Sequence, residues 1–404
     1  MGRSRNPIAV VLSVYRYKRH EYSLLYVALM LCTVLEVVKF GESFGLTDVI
    51  YAFFALLFGL KTIGVKGKTS ERIHTQNKYT YYLYPVLFLV IAIIGYYSFG
   101  ATRMLQSQFR FVFNCLIFVI IYTYFHISSS RDREKLISSY IYVCVICSTF
   151  VIIQFLSFYL FHYNIKFDIG ENNAASLETF AVGVNYRTGG LFNEPSWFTL
   201  FVGPVLDMAY RLKKFKELFV CIVGLILSTS SMAFLFLFLF AMFKLRGNNK
   251  KYIIILALVV VAIYFVFPIA FDRFFNALSN EEGTNSNNAR VILPMTVAFA
   301  HSIPLFGLDI GDLYAVNENL FLNTFVFVIL AFGIVGLIIF LHMILNRKHV
   351  LLSLILLLIV IIEGCYGRID FWMTLLAASV FCDNTNYEHQ MKYKKNDYKV
   401  LINQ

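Results

Sequence analysis

Charged side chains are scarce in this sequence. Asp, Glu, Lys and Arg make up 15% of its 404 residues, against about 25% in a soluble globular domain. The shortfall excludes a string of soluble domains, which a chain this long would otherwise form. Tryptophan is rarer still, with 2 residues beside 42 Phe and 26 Tyr. The short motifs of soluble catalysis are missing too. There is no phosphate-binding loop, zinc-ligand pair, nucleophile elbow or dinucleotide fingerprint. No internal repeat of the kind found in many transporters is visible. Cysteine occurs at Cys32, Cys115, Cys144, Cys147, Cys221, Cys365 and Cys382. Nearly all lie in apolar runs and suggest no disulfide framework. Cys144 and Cys147 have redox or metal spacing but no second pair, and read as packing residues. No cofactor or metal ion is expected.

What is present is a train of long apolar runs. Hydrophobic residues reach 59% and mean hydropathy is +0.68. A helix crossing a bilayer needs roughly 20 such residues. The runs place spans near 21–38, 45–60, 79–99, 109–127, 136–161, 195–211, 217–229, 231–245, 252–268, 318–341, 350–363 and 370–382. The expected fold is an all-α polytopic integral membrane protein with about 12 transmembrane segments. Residues 1–20 carry Arg3, Arg5, Arg16, Lys18 and Arg19 around an apolar stretch too short to span, with no small-residue cleavage site. They read as a cytoplasmic or interfacial arm. The membrane domain runs over 21–382, and 383–404 form a basic cytoplasmic tail. With both termini inside, most of the 35 Lys and Arg residues fall in cytoplasmic segments, as the positive-inside rule requires. The +11 net charge is thus a topology signal. Nucleic-acid binding is disfavoured, because the bases are scattered over short segments instead of one face. The Ile, Phe, Tyr, Lys and Asn bias points to an AT-rich bacterial gene.

The stretch 217–245 has basic clusters at both ends, Lys213, Lys214 and Lys216 before it and Lys244, Arg246, Lys250 and Lys251 at and beyond its end. One long helix would put one cluster outside. Ser228–Ser231 offers hydroxyls to the backbone, so two short helices meeting there are expected. At 1.5 Å per residue each reaches only about 21 Å. The break therefore falls inside the membrane, where irregular backbone survives only in a protein-lined or wet cavity.

This topology leaves two polar extracytoplasmic loops, 162–194 and 269–317. The first ends in Tyr186-Arg187-Thr188-Gly189-Gly190-Leu191-Phe192-Asn193-Glu194-Pro195-Ser196-Trp197. Gly189 and Gly190 permit a tight turn and close approach to a ligand. Asn193 suits the N-cap and Pro195 the first turn of the next helix. That helix start directs free N–H groups outward, a ready anion site, and Arg187 could add a bidentate phosphate contact. Glu194 stands at the same mouth. A capped helix with a loop arginine paired to a nearby acid is the plainer alternative. The second loop contains Arg290, an arginine outside against the charge rule, then His301 and Pro304-Leu305-Phe306-Gly307-Leu308. The next span opens on Asn317-Glu318-Asn319-Leu320-Phe321-Leu322. His301 alone is weak evidence, since a lone interfacial histidine is usually structural. Glu318 could simply complement its helix dipole. Inside the membrane, Glu36, Asp207 and Glu363 are the main ionisable groups and all lie near span ends, which argues against a proton-coupled pump.

At these loops the sequence resembles the O-antigen polymerase and O-antigen ligase superfamily. The similar features are Arg187 with Gly-Gly-Leu-Phe-Asn-Glu-Pro-Ser-Trp (189–197), Leu-Ser-Thr-Ser-Ser (227–231), Arg290 before Pro-Leu-Phe-Gly-Leu (304–308), and Asn-Glu-Asn-Leu-Phe-Leu (317–322) opening a span with Gly333 and Gly336. They cover about 180 to 345; the first 160 residues match only as generic spans. The resemblance implies an enzyme of the bacterial inner membrane acting on glycans carried by undecaprenyl pyrophosphate. A chain-length regulator and membrane lipids are the other implied partners. Ligases commonly read His-Asn where this chain has Glu318-Asn319, so the resemblance favours a repeat-unit polymerase. The implied reaction is metal-independent glycosyl transfer. Arg187 and Arg290 clamp the pyrophosphate, Glu194 or Glu318 acts as base, and Gly189, Gly190, Asn193, His301 and Asn319 line the substrate site. A ligase, a lipid-linked oligosaccharide flippase and a structural membrane subunit are the alternatives.

Overall fold

In a computed structural model of the protein, the described residues are 22–33, 39–40, 44–66, 78–99, 102–163, 165, 188–192, 194–244, 295–296, 305, 322–345 and 349–384. They are helical apart from short turns and a two-residue antiparallel pairing of β1 (Lys39–Phe40) with β2 (Phe44–Gly45). The helices are α1 (Leu24–Leu31), α2 (Leu46–Lys66), α3 (Lys78–Phe99), α4 (Thr102–Ile127), α5 (Ser130–Phe161), α6 (Pro195–Val202), α7 (Val205–Arg211), α8 (Phe215–Leu227), α9 (Ser231–Lys244), α10 (Thr324–Ile344) and α11 (Val350–Ile362), followed by α12 over 369–384. Among the described residues four stretches are long and apolar enough to cross a bilayer: Leu46–Gly64, Ser107–Ile127, Ser130–Phe161 and Thr324–Ile344.

The surface pattern is that of a protein in lipid. On α2, Val49, Phe53, Leu56, Leu60 and Ile63 are between 60% and 72% exposed. Their spacing of three and four residues makes one continuous apolar stripe. A stripe facing water would be an aggregation site; facing acyl chains it costs nothing. The opposite face of α2 is buried through Tyr51, Phe54, Ala55 and Phe58. The chain is a membrane-embedded helical protein.

Helices in lipid gain little from hiding apolar surface and associate by close packing. Two devices achieve it here. The first is aromatic. Phe111 on α4 meets Phe88 of α3, Phe332 of α10 and Trp372 of α12 at ring-centroid distances of 5.0, 5.0 and 5.2 Å. The second is absence of a side chain. A Cβ on Gly224 of α8 would stand 2.7 Å from Ser148 Cβ of α5, so only glycine lets the two backbones approach. Local sequence sets α5's ends. Ser129 Oγ accepts from the Asp132 amide at 3.2 Å and donates to its carboxylate at 2.8 Å, a capping arrangement. His162 closes the other end in the left-handed region, φ 52°.

The expected break at Ser228–Ser231 is present. α8 ends at Leu227, Thr229 adopts φ 53°, and α9 restarts at Ser231. Both basic ends return to one side, where Lys244 Nζ lies 2.6 Å from Asp207 and Lys214 Nζ is 3.0 Å from Ser138. The span expected over 195–211 keeps helical backbone angles throughout and is kinked at Gly203–Pro204, between α6 and α7. Proline supplies no N–H to the helix ladder. A Cβ on Gly203 would stand 2.4 Å from Phe236 of α9. The span expected at 252–268 lies outside the described residues.

Candidate functional site

The Thr188–Phe192 turn is seated deep against α5. Thr188 Oγ1 donates to the Leu227 carbonyl at 2.8 Å, satisfying one of the carbonyls left over at the end of α8. The Gly190 amide donates to Gln154 Oε1 at 2.9 Å. Gln154 Nε2 donates in turn to the Ile165 carbonyl at 3.0 Å, so one side chain holds both ends of the loop. Gly190 has φ 64°, and a Cβ there would meet Val151 Cγ2 at 2.8 Å. A Cβ on Gly189 would meet the Phe192 carbonyl at 2.3 Å. Both glycines are therefore required by geometry. Val151 lies about 15 Å along the helix axis from the end of α5 at 1.5 Å per residue. The turn thus closes on the tip of the short α8–α9 hairpin well below the top of α5.

From this turn the chain enters α6. The N-cap position is Glu194, with φ −127° and ψ 142° and Pro195 following at the first helical position. This corrects the expectation that Asn193 caps the helix. Proline at N1 fixes the register. The Glu194 carbonyl accepts from the Trp197 and Phe198 amides at 3.1 and 3.2 Å. Its carboxylate makes no capping bond to the backbone but accepts from Ser196 Oγ at 3.1 Å.

The connection between α11 and α12 packs beside this mouth. The Arg368 guanidinium carbon sits over Trp197, 3.5 Å from the ring centroid. It is held by Asp370, with Nε 3.2 Å from each carboxylate oxygen and Nη2 2.5 Å from Oδ2. The Asp370 side chain is fully buried, and its Oδ1 also accepts from the Phe371 amide at 2.7 Å. Thr324, the first residue of α10, ties itself to the same connection. Its amide and Oγ1 both bond the Glu363 carbonyl at 2.9 Å, and Oγ1 accepts from the Cys365 amide at 2.7 Å. Asn114 Nδ2 of α4 donates to the Gly367 carbonyl at 3.2 Å. Tyr366 stacks on Phe327 at 3.8 Å, with the rings 8° apart. Arg110 packs beside Gly367 and lies 3.7 Å from the buried Asp48. Burial pushes the Cys365 thiol well above its ordinary range, so it stays protonated.

α10 begins at Thr324, capped by Asn323 Oδ1 on the Val326 amide at 2.9 Å. The expectation that this helix opens at 318 is corrected, because Leu322 and Asn323 are not helical. α10 is broken at Gly333, φ 67°. The break frees the Ala331 carbonyl and the Val335 amide from each other. Gln108 Nε2 takes the carbonyl at 2.9 Å, and the Leu305 carbonyl takes the amide at 3.4 Å. Leu305, from the Pro-Leu-Phe-Gly stretch of the sequence, thus touches the middle of α10.

Of the sequence-predicted site residues, Gly189, Gly190 and Glu194 are brought together at the start of α6. Arg187, Asn193, Arg290, His301, Glu318 and Asn319 lie outside the described residues. Sequence reasoning missed Gln154, Thr324, Arg368 and Asp370. Arg368 offered one signal, a basic residue between two spans on the side where few Lys and Arg residues are expected. Among the described residues no cluster of three His, Cys, Asp or Glu could hold a metal ion. No protein-family model, curated protein or solved structure matches the chain.

Proposed function

We propose that this protein is an oligosaccharide repeat-unit polymerase. It spans the bacterial inner membrane about twelve times, with both termini cytoplasmic. It moves a growing glycan from undecaprenyl pyrophosphate onto the free sugar end of a new lipid-linked repeat unit on the outer side. The single observation that carries the reading is the seating of the Gly189–Gly190 turn. Wedged between α5 and the tip of the broken α8–α9 hairpin, it opens directly into Glu194 at the start of α6. Irregular backbone at that depth is tolerated where it lines a cavity, and the turn is continuous with Arg187.

In the reaction the anomeric carbon–phosphate oxygen bond breaks and a bond to the acceptor hydroxyl oxygen forms. The pyrophosphate leaves with its polyprenyl carrier. Arg187 and Arg290 neutralise the charge that develops on it. Glu194 or Glu318 takes the proton of the attacking hydroxyl. Polar residues gathered at loop–helix junctions suit an enzyme whose substrates are already outside. A flippase would need charged side chains along the whole path.

The test is a gel of surface polysaccharide from a deletion strain complemented with Arg187→Ala or Arg290→Ala. Each variant, present at normal level, should leave a single repeat unit on the core. Long polymer from both would sink the mechanism. Bare core, with polymer retained on the lipid carrier, would identify a ligase instead.

A further inference from the structure

We propose that Arg368 is a positioning residue that sets the mouth of α6, acting on Glu194 through Trp197. What the mouth does rests on the glycan-transfer reading above; how Arg368 holds it rests on geometry alone.

Trp197 is in the first turn of α6, and its amide bonds the Glu194 carbonyl at 3.1 Å. A force on the indole is therefore a force on the residue that bears the carboxylate. Arg368 covers one face of that indole at 3.5 Å. Only a planar cation fits this arrangement: guanidinium stacks on an aromatic face while its edge pairs with a carboxylate, and an ammonium cannot do both. Asp370 supplies the edge partner and is itself fully buried and bonded to the Phe371 amide. The pair is thus charge-balanced and already engaged, which suits a strut better than an anion-binding site.

The strut is anchored at its other end. Thr324 fixes residues 363–365 to the start of α10, and Asn114 fixes Gly367 to α4. A continuous line of contacts runs from the start of α10 through Arg368 and Trp197 to Glu194. It links the two helix starts that follow the two polar loops. A base on a loop–helix junction gains from such support, because small misplacement of a reacting group is costly.

The first experiment needs no substrate. The full-length Glu194→Cys chain in membrane vesicles is treated with a charged maleimide, with the unsubstituted chain as background. Adding Arg368→Gln or Arg368→Lys should change the labelling rate at position 194 severalfold. An unchanged rate in both overturns the proposal, whatever the polymer does. With only 2 Trp in the chain, emission reports the strut directly. Arg368→Gln should shift it, and the shift should vanish in a Trp197→Phe background.

The second experiment reads function in the deletion strain. Arg368→Lys and Trp197→Ala, each at normal protein level, should cut long polymer by about tenfold or more, the scale of a small misplacement. The double variant Trp197→Ala/Arg368→Lys should be no worse than either single. Full polymer from Arg368→Lys, or additive losses in the double variant, would overturn the strut. If the deletion strain itself makes normal polysaccharide, the glycan-transfer reading fails and the labelling rate alone decides the positioning claim.

Discussion

Two carboxylates, one at each end of the α6–α7 path, are equally buried and differently partnered. Asp207, on α7, is flanked by Arg211 at 2.9 Å and Lys244 at 2.6 Å, with Lys244 also over the Tyr210 ring at 4.8 Å. Asp370, near the start of α6, has Arg368 as cation and the Phe371 amide as a second donor. The first end carries surplus positive charge, and Arg211 is 37% exposed, so its head group can reach the membrane interface while its stem packs. At the second end the Arg368–Asp370 pair is balanced in itself and knitted to other elements by hydroxyl–carbonyl bonds. Surplus charge orients a segment against a membrane; a paired, bonded cluster fixes shape.

The largest effect should come from Asp207→Ala, which strips the mostly buried Lys244 and the partly exposed Arg211 of their shared counter-charge. A loss of about 3–5 kcal/mol is expected, seen as a lower melting temperature and yield in detergent. Asp370→Asn should cost less, about 3 kcal/mol at the low end for a buried cation left uncompensated, because one cation and not two loses its counter-charge and the amide oxygen still accepts from Phe371. The reverse order would break the comparison. Gly190→Ala should cost about 1–3 kcal/mol from positive-φ strain, added to the contact with Val151, and should abolish long polymer. Equal stability and polymer in this variant would show that the turn is not held as described. Thr188→Val should cost about 0.5–1.5 kcal/mol by leaving the Leu227 carbonyl without its hydroxyl donor. The smallest effect is no effect. Cys115, Cys144, Cys147, Cys221, Cys365 and Cys382 are buried, so a maleimide should leave all six unmodified in the folded protein at pH 8. Rapid labelling of Cys365 would show that the 363–368 connection opens.

Much of the helical framework was legible. The apolar runs located α2 to α5, α8, α9, α11 and α12, with several ends displaced by some residues. Ser228–Ser231 announced the hairpin because basic clusters on both sides forbade a single span. One misplaced start and one unforeseen kink have local causes. Leu320, Phe321 and Leu322 extend the apolar run of α10 upstream, which hid Asn323 as its cap. Gly203–Pro204 sits inside an apolar run whose length alone suited one span. The candidate site was legible only as a segment. Gly189, Gly190 and Glu194 stood out because turn chemistry and helix starts are written in neighbouring residues. Gln154 and Arg368 did not, because their partners are far away along the chain.

The sequence by itself determined that this chain is helical, lives in lipid and breaks one span at Ser228–Ser231. Hydropathy and charge act residue by residue against the bilayer, so their order along the chain is enough. Only the tertiary structure decided that the Gly190 amide meets Gln154, that Thr324 meets Glu363 and Cys365, and that Arg368 lies on Trp197. Those pairings depend on which helices become neighbours, and in lipid that is settled by close packing at sites such as Gly224 against Ser148 rather than by hydrophobicity.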